Sequence, residues 1–156
     1  MLLGKTTAVA MYAAAFALSI PACTVCIFST GRRASAKLLA QIQGLVRSAG
    51  HGERISRANQ EQLDLRQRAG DKDSPISTIY SFPAAVATLR GQGGDLIILE
   101  EAGFMDQELF LQVVVPLLEM QSTSLIAIST IPPSKSNFFN SMLTLELEGE
   151  LLFNVL

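Results

Sequence analysis

An α/β domain built on a mostly parallel sheet flanked by helices is the fold class this chain predicts, and three observations carry it. Short continuous apolar runs at residues 23–29, 95–99 and 124–129 have the β-branched, unalternating character of strands buried on both faces. These runs alternate with stretches of helical periodicity, the pattern of strand–helix–strand units. Polar residues fall directly after the runs, where open parallel sheets bind ligands. The bulk properties agree. A chain of 156 residues, 49% hydrophobic and 17% charged with mean hydropathy +0.34, buries one core and is globular rather than disordered. A net charge of -2, from 12 basic and 14 acidic residues, excludes a global electropositive surface for nucleic acid.

The elements follow in order. Residues 6–19 are alanine-rich and predict a helix, and Pro21 then breaks the chain before a strand over 23–29. Gly31, Arg32 and Arg33 connect to a second helix over 34–49, with Ala34, Leu38, Ile42 and Leu45 at helical spacing and Gly50 to close it. The polar stretch 53–74 suggests two marginal edge strands around Ile55, Leu63 and Leu65, joined by an exposed turn at Gly70 and Asp71. A strand follows over 76–82, a short helix or turn over 83–87, and a loop over 90–94. The strand over 95–99 ends in Glu100 and Glu101, a helix with Pro116 in its second half spans 106–120, a strand covers 124–129, and a last helix spans 137–143.

Residues 8–28 are almost uninterrupted apolar. Alone, they read equally as a secretory or lipoprotein leader ending near Ala22 and Cys23, or as a span of about 20 residues. A helix, a proline turn and a buried strand account for the same composition without lipid. Cys23 and Cys26 have the CxxC spacing of redox and zinc motifs, but the chain has no further cysteine and one histidine, His51, short of the roughly four ligands of a zinc site. Both are expected in the core.

Three places carry chemistry. Gly4-Lys5-Thr6-Thr7, opening the first helix, matches the second half of a phosphate-binding loop. In such a loop the lysine reaches the terminal phosphates, the hydroxyl coordinates Mg2+, and the helix N-terminus offers amides to the anion. The bland alternative is a helix start with an exposed lysine. The second place is Leu96-Ile97-Ile98-Leu99-Glu100-Glu101, an apolar strand ending in two acids. In nucleotide hydrolases the first acid holds Mg2+ and the second polarises the attacking water; the alternative is a strand leaving the core through two charges. The third is the strand ending in Ser129 and Thr130, hydroxyls placed to sense a terminal phosphate or simply to begin a turn before Pro132.

Taken together with Leu89-Arg90-Gly91-Gln92, Ala102-Gly103-Phe104 and Ser136-Asn137-Phe138-Phe139-Asn140, these segments resemble the ATPase domain of large terminase subunits, most nearly its herpesvirus-like branch, which is related to the packaging motors of tailed phages. The resemblance covers nearly the whole chain and is most specific over 89–104 and 124–140. It implies a P-loop NTPase-like fold, ATP and Mg2+ as ligands, and translocation of viral double-stranded DNA into a preformed capsid. It implies phosphate contact through Gly4, Lys5, Thr6 and Thr7, Mg2+ held by Thr6 and Glu100, and catalysis by Glu101. Arg90 would serve as a nucleotide-sensing or finger arginine, Ser129 and Thr130 as the coupling motif, and Thr30, Arg32 and Arg33 would face DNA or a neighbouring subunit. Implied partners are the portal protein, the small terminase subunit and further copies in a ring, with no membrane. The setting would be an infected host cell, the nucleus for a herpesvirus-like protein or the bacterial cytoplasm for a phage. The sequence departs from the family at Glu100, where aspartate is usual, and lacks the first strand, the front of the phosphate loop and the nuclease domain, so residues 1–156 are expected to be a partial ATPase domain. Another P-loop NTPase of helicase type, or an exported protein with residues 1–22 as leader, stands as the alternative.

Overall fold

The structure, a computed structural model, describes residues 3–83, 94–109, 111–112, 123–130 and 139. In chain order these form helix α1 (Leu3–Ser19), strand β1 (Thr24–Ser29), helix α2 (Arg32–Ser48), strands β2 (Ile55–Ala58), β3 (Gln62–Arg66), β4 (Ile76–Pro83) and β5 (Leu96–Glu100), a single helical turn α3 (Gln107–Leu109), and strand β6 (Ser124–Ile128). The strands make one sheet ordered β2-β3-β4-β1-β5-β6. β4, β1, β5 and β6 pair in parallel, while β3 runs antiparallel to both β4 and β2.

The central strands are apolar without interruption because both of their faces are covered. Val25 and Ile27 of β1 and Leu96 and Ile98 of β5 face a cluster that contains Ala10, Ala13, Ala17, Leu38, Ile42 and Val46 of the two helices. Cys26, Phe28, Ile97 and Leu99 face the opposite way, toward Ala102, Met105, Tyr80, Phe82 and Phe139. Leu96, Ile97, Ile98 and Leu99 are each fully buried, and each such side chain contributes about 1.5–3 kcal/mol by leaving water. The alanines of α1 let that helix lie close to the sheet and to α2. Its outer side carries the exposed Met11 and Tyr12.

Helix ends and turns follow local chemistry. Gly50 takes φ +81°. The His51 amide then reaches Val46 O and the Gly50 amide Arg47 O, closing α2 with paired bonds that only a left-handed residue allows without strain. Arg54 donates to Leu18 O at 2.9 Å and Arg66 O at 2.7 Å, placing a cation on the carboxyl end of α1 and tying it to β3. Gly94 leads into β5, where a Cβ would lie 3.2 Å from Cys26 Sγ, so a larger residue would push on the sheet.

Two expectations are corrected. α1 includes Leu3, Gly4 and Lys5 instead of starting at Thr6, so that the residues read from the sequence as the end of a phosphate loop form its first turn. The β2–β3 hairpin turns at 59–61, where Asn59 Oδ1 accepts the amides of Glu61 and Gln62 at 2.8 Å each. Gly70 and Asp71 belong to the next turn, between β3 and β4, which Arg66 organises by donating to the Asp71 and Lys72 carbonyls. The apolar run 8–28 divides into helix, turn and strand as expected, and among the described residues no helix is long and apolar enough to cross a membrane. The elements anticipated over 84–87 and, Phe139 apart, over 137–143, and the helix beyond Gln112, lie outside the described residues.

Candidate functional site

Because β1, β5 and β6 run parallel, their carboxyl ends emerge on one edge of the sheet, beside the N-terminus of α1. There Lys5, Thr6, Glu100, Glu101, Ile128, Ser129 and Thr130 line a single small cleft. Its volume of about 20 Å3 is room for roughly one or two water molecules. Three stretches far apart in sequence thus meet at one place.

Hydrogen bonds fix the meeting point. Lys5 Nζ donates to Ser129 O at 3.2 Å, linking α1 to the end of β6. Ser129 Oγ accepts the Gly103 amide at 3.0 Å and donates to Thr130 O at 2.7 Å. Thr130 Oγ1 donates to Glu101 Oε2 over a longer 3.4 Å. The hydroxyls after β6 therefore hold the turn after β5, which begins at Glu101 directly behind Glu100, the last residue of the strand. Glu101 itself adopts a left-handed conformation, φ 56° and ψ 41°, which bends the chain sharply out of β5. Strand alternation alone would send consecutive acids to opposite faces; the left-handed bend lets both reach the cleft.

Glu100 has its proton affinity raised above the ordinary carboxylate range, chiefly by burial and next by the neighbouring charge of Glu101. Ser29 and Lys37 act in the opposite direction. Its Oε2 is buried without a hydrogen-bond partner. A carboxylate oxygen in that condition, next to a second carboxylate and the Thr6 hydroxyl, suits a hard cation with oxygen ligands such as Mg2+. No group of three or more His, Cys, Asp or Glu among the described residues could hold a metal by itself. A cation here would take its remaining oxygens from phosphate and water, as Mg2+ commonly does.

Of the residues singled out in the sequence, Lys5, Thr6, Glu100, Glu101, Ser129 and Thr130 come together. Thr7 stands one position along α1 and accepts Gln41 Nε2 at 3.1 Å, so it joins α1 to α2 rather than lining the cleft. Gly4 is exposed, and a Cβ there would meet nothing within 4 Å among the described residues, so packing does not demand glycine. Arg90 lies outside the described residues. Thr30, Arg32 and Arg33 flank the start of α2 away from the core, and Arg32 pairs with Glu61 at 3.0 Å. Cys23, just before β1, and Cys26, within it, are free and buried in clusters on opposite sides of the sheet, so their CxxC spacing does not make a common site. Ser29 was missed, although β1 ends in Ser29-Thr30 as β6 runs into Ser129-Thr130.

Acids and hydroxyls thus gather at the carboxyl edge of the parallel strands, the place where open α/β sheets bind ligands. The chain has the fold of the ATPase domains of phage large terminases. It superposes on the Thermus phage P74-26 large terminase ATPase domain with a TM-score of 0.74 at 17% identity, over 88% of this chain and 59% of that one. The large terminase of a thermophilic bacteriophage gives 0.74 at 12% identity, over 96% and 36%. The HK97 bacteriophage large terminase gives 0.74 at 16% identity, over 94% and 31%. The thermophilic bacteriophage protein has also been solved in complex with ADP and with ATP-gamma-S. This chain therefore spans between about a third and three-fifths of the structures it matches. No family model and no curated protein matches its sequence.

Proposed function

We propose that this chain is the nucleotide-hydrolysing part of a viral DNA-packaging motor, binding ATP with Mg2+ in the cleft between α1, β5 and β6. The observation that carries the reading is the convergence of Lys5 and Thr6, Glu100 and Glu101, and Ser129 and Thr130 on one cleft of a terminase-like fold. In this reading Lys5 leaves Ser129 O for the β- and γ-phosphates, and the first turn of α1 presents its amides to them. Thr6 and Glu100 would hold the cation, which would supply positive charge against the phosphates. Glu101 accepts a proton from a water as that oxygen bonds to the γ-phosphorus and the bond to the β-phosphate oxygen breaks, releasing ADP. Ser129 and Thr130, already bonded to the Gly103 amide and Glu101, carry the state of the γ-phosphate into the sheet edge. Arg90 would stabilise the transferring phosphoryl group, and Thr30, Arg32 and Arg33 would face DNA or a neighbour. Double-stranded DNA, the portal, the small terminase subunit and a ring of copies are the partners this reading carries, in an infected host cell.

Binding of a fluorescent ATP analogue and release of phosphate test it together. Lys5→Ala should lose binding. Glu101→Gln should bind as the parent does and lose turnover by roughly 10²–10⁴-fold. Normal turnover in Glu101→Gln would remove that residue from the chemistry, and unchanged binding in Lys5→Ala would remove the cleft.

A further inference from the structure

Ser29, the last residue of β1, is completely buried, and its hydroxyl stands near enough to the Glu100 carboxyl to lower that group's proton affinity, yet it makes no bond of full hydrogen-bond geometry to any partner. Its register partner on β5 is Glu100, whose Oε2 is the other buried side-chain atom left without a partner among the described residues. Alternation puts both on the same face: Val25, Ile27 and Ser29 on one strand, Leu96, Ile98 and Glu100 on the next. A hydroxyl donor and a carboxylate acceptor, each unsatisfied, therefore sit side by side at the ends of adjacent strands. Packing alone gives no reason for serine here, since the positions before it on that face are valine and isoleucine and an unbonded buried hydroxyl is worse than a methyl group. Glu100 supplies a reason. Glutamate has one more rotatable bond than aspartate, and a carboxylate meant to present one oxygen to a cation needs its other oxygen held.

We propose that Ser29 is a positioning residue of the cation site: its hydroxyl takes Glu100 Oε2 and so fixes the second carboxylate oxygen toward the cleft. The inference rests on the reading of Glu100 as a cation ligand and adds a residue on the far side of it, away from β6. Its complement is Lys5 and Thr6, which line the same cleft as Glu100.

Electron paramagnetic resonance of Mn2+ with the chain in the presence of ADP measures the site without turnover. Ser29→Ala should weaken Mn2+ binding about tenfold, the scale on which loss of a residue bonded to a metal ligand is felt. Ser29→Thr, which keeps the hydroxyl, should restore most of it. In a Glu100→Gln background, Ser29→Ala should cost nothing further, because its effect runs through that carboxylate. The metal-free melting temperature should be unchanged or higher in Ser29→Ala, since no bond of full hydrogen-bond geometry is lost while the cation is absent. Protein-bound Mn2+ that is indifferent to Ser29→Ala overturns this inference alone, as does a loss that multiplies with Glu100→Gln. A Ser29→Ala protein that melts lower or fails to fold shows a structural serine and overturns it too. No protein-bound Mn2+ in the parent chain overturns the nucleotide reading and this inference with it.

Discussion

Glu101 is held in a conformation that a side chain-bearing residue rarely takes, φ 56° with ψ 41°. For an L-residue that region costs roughly 1–2 kcal/mol, and glycine occupies it freely at an entropic penalty of its own. Replacing Glu101 by glycine should therefore raise stability toward urea by roughly 0.5–1 kcal/mol while removing turnover. Ala22 is the internal comparison. It has φ 55° in the turn before β1, far from the chemistry in sequence and outside the cleft. Ala22→Gly should stabilise similarly and leave nucleotide binding alone. If Glu101→Gly destabilised while Ala22→Gly stabilised, the Thr130 bond to Glu101 would outweigh the backbone strain. Nothing in the sequence marks Glu101 as left-handed, since Gly103, the residue usually given to such bends, stands two positions later. The two acids were legible; the bend that lets both serve one cleft was not.

At the scale of the element, β1 shows why composition read well here. Five of its six residues are buried, and a strand covered on both sides must be apolar throughout, so the run announces itself. The same burial disposes of the CxxC motif. Cys26 is pushed up to about 12, by burial first and by the charge of Asp95 second, and Cys23 is raised for the same leading reason. Folding thus holds both thiols protonated. The stability this contributes is intact below the ordinary thiol value of 9.0 and falls away as pH climbs toward the folded value. Neither cysteine should react with iodoacetamide near neutral pH in the folded protein, and both should react once urea unfolds it, as counted by mass spectrometry. Rapid labelling of native Cys26 would mean that the sheet opens locally. The hairpin was less legible. Sequence reasoning put its turn at Gly70-Asp71 because glycine is the strongest turn signal, whereas the amides of Glu61 and Gln62 are satisfied by the Asn59 side chain. A side-chain cap substitutes for glycine there, and a glycine further on serves a different turn.

The whole molecule brings together what the chain keeps apart: Lys5 and Ser129 are 124 positions distant, yet bonded. That juxtaposition depends on the strand order β1-β5-β6 and on α1 packing across it, neither of which a single sequence displays, because parallel pairing leaves no local trace. The resemblance in residues 89–140 supplied what periodicity could not. It follows that a ligand in the cleft should act as a clasp between α1 and the β5–β6 edge, adding stability that no isolated element has. At about a hundred times its dissociation constant a ligand stabilises the native state by about 2.7 kcal/mol. For a domain of this length that corresponds to a melting shift of roughly 5–10 °C. Mg2+ with ATP should produce such a shift in the parent chain and in Glu101→Gln, which keeps every phosphate contact. Lys5→Ala should abolish it, and Glu100→Gln should leave a reduced shift that no longer depends on Mg2+. A full shift in Lys5→Ala would place the nucleotide somewhere other than the carboxyl edge of the sheet, and the convergence of these residues would then be a consequence of folding alone.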